Sequence, residues 1–306
     1  MVRTRIIIAV CTFRRNEPLT RLLESCLRNA DSISQKAAVG VVIVDDTDDL
    51  TAQPVAEKFR TTFELGLHYV SAASGNISVA RNMGLEDASL RGEWIAMTDD
   101  DCEPEDTWLA CLLDVQARTA ADVVTGLMLR RPSVPAANWL IDQGFLKLGE
   151  FAPADGEDLQ VAFTNNCLIS SRCVRHYRDL RFDDRLGRIG GEDMVFFGQA
   201  RAKGMRICFS KEAIVYENEP AERLTYQYQL WRYYWHGNSS VVTQTRNGVR
   251  RSRMFIHGCM SLVRAISYSP RRLICSQKPH FRYSLALIGE AVGKLFGSLG
   301  IKVNHH

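Results

Sequence analysis

The sequence has no Gly-rich phosphate loop. No G-x-G-x-x-G follows an apolar run and no G-x-x-x-x-G-K-[S/T] occurs, which argues against a dinucleotide or an ATP held through such a loop. C-x-x-C pairs and Cys/His groupings at zinc spacing are also missing, although there are nine cysteines. That odd, scattered set excludes a disulfide framework or zinc module and suggests reduced thiols in the cytosol, mostly small buried hydrophobes. With no apolar run of about 18 residues, no membrane-spanning helix is expected. The apolar start, Ile6 to Val10, is too short for a signal peptide and lacks a cleavage site. Internal repeats and low-complexity tracts are absent. Acid is missing from Arg246 to Arg282, a stretch with nine Arg or Lys, whereas the first hundred residues are rich in it. The net charge of +3 hides that asymmetry.

What is present is the composition of a globular protein, 46% apolar and 24% charged, long enough for one large or two modest domains. Residues 6–10 read as a strand buried on both faces, residues 11–18 as a polar loop, and Leu19, Leu22, Leu23, Cys26 and Leu27 recur at helical spacing. A second strand is expected at 39–44, a helix at 51–62, a third strand at 67–70, a helix at 77–90 and a fourth strand at 94–97. Four strand–helix units imply an α/β layered sheet, in which ligands sit outside the carboxyl ends of the strands. Thr12, the pair Asp45 and Asp46, and the trio Asp99, Asp100 and Asp101 all fall at such ends. Pro104 reads as a turn or helix start. Further on, helices are expected at 107–118, 172–178 and 194–203, and strands at 122–128, 161–169, 205–209 and 213–216. Residues 130–158 read as loops with one short helix.

Three adjacent carboxylates repel one another and call for a counter-charge. A hard divalent cation, Mg²⁺ or Mn²⁺, supplies one, and Mg²⁺ is typically shared between a carboxylate or two and a substrate's phosphates; a solvated acidic turn is the alternative. Asp45 and Asp46 either bond a ribose or base edge, or cap the next helix. Arg81, in the first turns of its helix, faces a phosphate or forms a surface ion pair. Gly190-Gly191-Glu192-Asp193 reads as a flexible hinge that delivers two carboxylates to a helix start, suited to a general base or to capping.

The ordered set Cys11-Thr12-Phe13-Arg14-Arg15, Val44-Asp45-Asp46-Thr47, Ser78-Val79-Ala80-Arg81-Asn82-Met83-Gly84, Met97-Thr98-Asp99-Asp100-Asp101 and Gly191-Glu192-Asp193 resembles a family 2 glycosyltransferase of GT-A fold. Its subgroup is similar to rhizobial, succinoglycan-type exopolysaccharide glucosyltransferases. The resemblance implies a GT-A catalytic domain over residues 1–220, with helices on both faces of its sheet. It implies nucleotide-sugar contacts by Thr12, Asp45, Asp46, Arg81, Asp99 and Asp100, and a metal held by Asp99 and Asp101. Asp193 would be the catalytic base, with Glu192 beside it. A UDP-sugar donor and a polyprenyl-diphosphate-linked glycan acceptor are implied, with direct displacement and inversion. A non-catalytic nucleotide-sugar-binding or scaffold protein is the alternative.

Residues 221–306 are expected to form a basic, helical extension. The segment from Tyr226 to Asn238 is dense in aromatics, and Trp231, Arg232 and His236 are candidates for acceptor or diphosphate contact. It resembles the family's Q-x-x-R-W region only loosely, and core packing of its tryptophans is an equal reading. Arg250, Arg251 and Arg253 precede an apolar-rich stretch, a pattern suited to an anionic membrane surface. Gly289, Gly293 and Gly297 repeat every four residues, which permits close helix contact. No nucleic-acid-binding fold accompanies the basic region, so no nucleic acid is expected as partner. The expected location is cytoplasmic, peripheral on the inner face of the cytoplasmic membrane.

Overall fold

In the computed structural model, which describes residues 3–146 and 152–303, the first strand decides where the core forms. Strand β1 (Thr4–Thr12) is apolar along its middle, so it must be covered on both faces. Its side chains alternate: Ile6, Ile8 and Val10 enter one core, Ile7 and Ala9 the other. Strands β2 (Ala37–Asp45), β3 (Leu67–Ser71) and β4 (Trp94–Met97) join it in parallel, in the order β3-β2-β1-β4. Helices α1 (Asn16–Ser32) and α2 (Gln53–Phe59) supply Leu19, Leu22, Leu23, Val55 and Phe59 to the first core. Helix α3 (Ile77–Arg91) supplies Ala80, Leu85 and Ala88 to the second. The four expected strands are therefore present. The chain steps outward from β1 to β2 and β3, then returns to the other side of β1 as β4. Open α/β sheets take ligands at such a reversal.

Past β4 the chain adds β5 (Cys102–Pro104), α4 (Trp108–Thr119), β6 (Val123–Pro132), α5 (Asn138–Asp142), β7 (Cys167–Ser170), α6 (Ser171–His176), α7 (Glu192–Ala202) and β8 (Ile207–Glu219). The sheet runs β3-β2-β1-β4-β7-β6-β8-β5. Its second half is antiparallel where β7 meets β4, β6 meets β7 and β5 meets β8. Pro104 does not start a helix: it ends the short edge strand β5, where a missing N–H is tolerated. The two short strands expected at 205–209 and 213–216 are one strand of 13 residues. Lys211 and Glu212 break the apolar pattern there, but they do so by facing solvent within the strand. The expected loop region at 130–158 contains α5, and its residues 147–151 lie outside the described residues.

Two compact units result. The first comprises Met1–Leu129, Gly149–Gly187 and Glu192–Asn218; the second comprises Arg130–Leu148, Arg188–Gly191 and Glu219–His306. The second unit holds α8 (Tyr226–Arg246), α9 (Arg251–Ile274) and α10 (Phe281–Ser298). It also takes in residues around α5, because Leu140 and Phe145 share a core there with Ala286, Tyr233 and Tyr283. Trp139 meets Tyr226 edge-on at 5.6 Å, a favourable ring geometry.

Helices α8 and α10 approach backbone to backbone. A Cβ on Gly237 would lie 2.0 Å from the Glu290 carbonyl oxygen, and one on Gly293 would lie 2.1 Å from that of Tyr234. Gly237→Ala should therefore force the pair apart. A loss of about 1–3 kcal/mol is expected, as for other overpacked interfaces, and thermal unfolding measures it. No helix among the described residues is long and apolar enough to cross a membrane.

Candidate active site

The parallel register brings the strand-end residues together. Thr12 lies opposite Asp45 in β1–β2, and Met97 pairs with Ala9 in β1–β4. The chain leaving β4 turns tightly through Asp99, Asp100 and Asp101 into β5, closed by the Cys102 N–H donating to the Asp99 carbonyl at 3.1 Å. Thr12 Oγ1 donates to Asp100 Oδ2 at 2.8 Å. Arg15 Nη1 donates to Asp100 Oδ1 at 2.9 Å and to Asp101 Oδ2 at 2.8 Å. Arg81 donates from Nη2 to Asp99 Oδ1 at 3.0 Å and from Nη1 to Glu192 Oε1. Asp193, next along α7, accepts the Met194 N–H at 2.7 Å on Oδ1. Thr12, Arg81, the Asp99–Asp101 trio, Glu192 and Asp193 thus belong to one hydrogen-bonded and ion-paired locality in the first unit.

The counter-charge that the three acids require is, in this structure, a pair of arginines. Arg81 is among the residues the sequence points to; Arg15 is not, although it lies within the first motif. The signal for Arg15 was its place directly after the first strand end, on the loop beside the acids. Both guanidiniums are driven further towards the charged form. Burial works against their charge, but Asp100 and Asp101 outweigh it at Arg15, and Asp99, Glu192 and Asp193 at Arg81.

The acids respond differently. Asp100 is buried, and desolvation pushes it up to about 6 although Arg15 and the Thr12 hydroxyl oppose the shift. Asp193 is pushed up to about 7, chiefly by desolvation and then by the neighbouring Glu192 carboxylate, with Arg81 pulling the other way. Glu192 is buried and spends its charge on Arg81. Asp193 Oδ2 has no hydrogen-bond partner among the described residues. One carboxylate anchors the arginine and the other is left available.

Asp45 and Asp46 answer their two readings separately. Asp45 is fully buried. Its Oδ1 accepts the Thr47 N–H and hydroxyl, and its Oδ2 accepts the Ala52 N–H at 2.8 Å and the Tyr69 hydroxyl at 2.7 Å. All four acceptor positions are filled, so Asp45 holds the loop that leads into α2 and has none left for a ligand. Asp46 Oδ1 accepts from Ser74 N, Ser74 Oγ and Gly75 N, while Oδ2 accepts only the Asn76 N–H at 2.7 Å. One acceptor position remains on Asp46 Oδ2.

Gly190 and Gly191, read as a flexible hinge, are closely packed instead. Both have positive φ, +91° and +85°, and a Cβ would strike the Trp235 ring in one case and Thr243 Oγ1 in the other. Only glycine fits there. Trp231, Arg232 and His236 lie on α8 in the second unit. Trp231 stacks on Trp235 with ring centres 6.1 Å apart, and Arg232 donates to the buried Glu219 carboxylate at 2.8 Å. Arg130 shares that carboxylate. Despite burial, the two arginines hold Glu219 below the usual range.

Asp99 and Asp101 offer the hard oxygen donors that Mg²⁺ or Mn²⁺ takes. Asp99 Oδ2 accepts no hydrogen bond among the described residues, and its side chain is 39% exposed. No three potential metal-ligating side chains converge among the described residues. Such a partial donor set suits a metal that takes its remaining ligands from a substrate's phosphates and water.

Comparison with known proteins gives concordant results. The family model described as Glycosyl transferase family 2 matches residues 7–178. The chain is 30% identical over 252 residues to succinoglycan biosynthesis protein ExoM of Rhizobium meliloti (strain 1021), covering 80% of this chain and 77% of that protein. Among solved structures, S. aureus TarS 1-349 in complex with UDP-GlcNAc is 16% identical with a TM-score of 0.54, covering 97% of this chain and 92% of that one. A longer TarS chain, 17% identical with a TM-score of 0.54, is matched over 79% of this chain and 43% of its own length. Less than half of that longer chain is therefore spanned. These likenesses establish the fold as a mixed α/β sheet of GT-A type flanked by helices.

Proposed function

The chain belongs to glycosyl transferase family 2 and is a glycosyltransferase; from that premise we propose that it moves a sugar from UDP to a growing, lipid-linked exopolysaccharide, with inversion. The observation that carries this reading is Asp193. It is a single carboxylate with one oxygen uncommitted, raised towards neutrality, beside an arginine-anchored acid cluster at the strand switch point. Glucose is the donor sugar that the sequence resemblance favours. The name of the succinoglycan relative supports an exopolysaccharide acceptor, and the UDP-GlcNAc complex of TarS supports a nucleoside diphosphate donor.

Asp193 takes the proton of the acceptor hydroxyl as that oxygen bonds to the anomeric carbon. The bond from that carbon to the diphosphate breaks on the opposite side, and the electron pair leaves with UDP. With Asp193 acting as base and not as nucleophile, the reaction is a single displacement, hence inversion. Asp46 Oδ2 keeps one acceptor position for a ribose hydroxyl or base N–H. Thr12 and Arg15 hold Asp100 in place, and Arg81 holds Asp99 and Glu192, so the acids are oriented before substrate arrives. Asp99 and Asp101 would hold Mg²⁺ or Mn²⁺, which supplies charge neutralisation at the leaving diphosphate. On α8, Trp231 is stacked on Trp235 and Arg232 is committed to Glu219. The proposed location is the cytoplasmic face of the membrane, where a lipid-linked acceptor would be met.

Calorimetry with UDP and with GDP, with and without Mn²⁺, tests the donor and metal assignments. UDP binding strengthened by Mn²⁺ is expected, lost in Asp101→Ala and kept in Asp193→Ala. Binding indifferent to metal would remove Asp99 and Asp101 from that role, and preference for GDP would replace the donor.

A further inference from the structure

Helix α9 (Arg251–Ile274) is amphipathic in an unusual sense: its apolar face is the exposed one. The side chains it buries are few and small or slender, namely Met254, Gly258, Ala265 and Ser269. A Cβ on Gly258 would meet the Leu295 side chain at 2.9 Å, so this narrow face is the one laid against α10. At 3.6 residues per turn, Phe255, Ile266 and Leu273 project along one line, and Ile256, Val263 and Met260 lie further round. Together they cover an arc of roughly 140°, and all six are exposed: Ile256 at 60%, Val263 at 66% and Ile266 at 58%, for example.

Arginines border this arc. Arg253, Arg264 and Arg271 fall within about 20° of one another on its far edge, exposed and without an ion-pair partner among the described residues. Arg251 lies on the opposite edge. No acid lies near them in the sequence: residues 223–289 contain eleven Arg or Lys and no Asp or Glu. An apolar face of this size, with cations at its margins, is costly to leave in water. It matches an interface whose interior is apolar and whose rim is anionic, with arginine stems lying along the acyl boundary and their heads among phosphates. A second protein surface would need acids at the same spacing. A bilayer supplies phosphate everywhere.

We propose that α9 lies in the plane of an anionic phospholipid surface, its Phe255–Leu273 face among the acyl chains and its Arg253, Arg264 and Arg271 edge among the headgroups. The purpose of such docking rests on the lipid-linked acceptor proposed above; the structural support comes from α9 itself. At 24 residues the helix is long enough to lie across several lipids.

The test uses the full chain and vesicles, without donor or acceptor. Flotation with phosphatidylcholine vesicles containing about a third phosphatidylglycerol should carry the protein to the top of the gradient, and pure phosphatidylcholine should not. Replacing Arg253, Arg264 and Arg271 by Gln should weaken partitioning on the order of a hundredfold, at about fivefold per cation. The double variant Ile256→Asp, Val263→Asp should abolish it. All five positions are exposed, so circular dichroism and a soluble-acceptor assay should be unchanged in the variants. Equal binding to both vesicle types, or binding indifferent to these substitutions, overturns the proposal. So does a wild-type chain that stays in solution as a dimer which the Asp variant converts to monomer, because a second copy would then cover the face. Failure here leaves the glycosyltransferase reading intact, and a catalytically inert chain that still floats leaves this one intact.

Discussion

Asp193→Asn should lower kcat by about 10²–10⁴ while leaving UDP affinity within a fewfold of wild type. The side chain keeps its shape and its hydrogen bond from the Met194 N–H, and loses only the capacity to take a proton. The wild-type pH profile should carry the same signature. A base must be ionised to act, and Asp193 is raised to about 7 by desolvation and by Glu192. Activity should therefore be full above that value and fall about tenfold per pH unit below it. A variant with normal rates, or a wild-type rate flat between pH 5 and 8, would shift the base to another group. Product configuration, read by nuclear magnetic resonance, should show inversion in the wild type.

Arg81→Ala should cost stability as well as activity. Its side chain is 9% exposed and its partner Glu192 is 8% exposed, so removal strands a buried carboxylate. Breaking such a pair costs about 3–5 kcal/mol, far more than a surface pair. The Asp99 contact, with Asp99 39% exposed, contributes the smaller part. A chemical-denaturation midpoint well below wild type is expected. Arg81→Lys should recover part of the charge but not the two-pronged bonding, and so part of the stability. Whatever activity remains should show its acid limb at higher pH, because Arg81 is the group that holds Asp193 down. The combined double variant Arg81→Ala, Glu192→Gln should be more stable than Arg81→Ala alone, since no buried charge is left unpaired. If Arg81→Ala unfolds at the wild-type midpoint, the pair is not a structural element.

Much of the first unit was legible because strand cores are local. Residues 6–10, 39–44 and 94–97 are apolar runs bounded by polar turns, and each became a strand buried as read. The acids at their ends were therefore recognisable as neighbours before any contact was known. The errors came where local pattern and tertiary context diverge. Pro104 ends an edge strand because β8 lies beside it, and Lys211 with Glu212 sit within β8 at a point where side chains on both faces of that strand are exposed. Asp45 and Asp46 looked equivalent in sequence. Their division of labour follows from Tyr69 and Ala52 reaching one, and the Ser74–Asn76 turn reaching the other.

By itself, then, the sequence determined the order of strands and helices, the acidic strand ends and the basic character of the last helices, because hydrophobic period and residue charge are properties of short stretches. Only the tertiary structure decided what neutralises those acids. Arg15 stands 85 residues from Asp100, and Arg81 stands 111 from Glu192. It also decided which of the two α7 carboxylates stays uncommitted, and which face of α9 remains exposed. Charge pairing and burial depend on distance in space, and folding alone brings residues so far apart in sequence within a few ångströms.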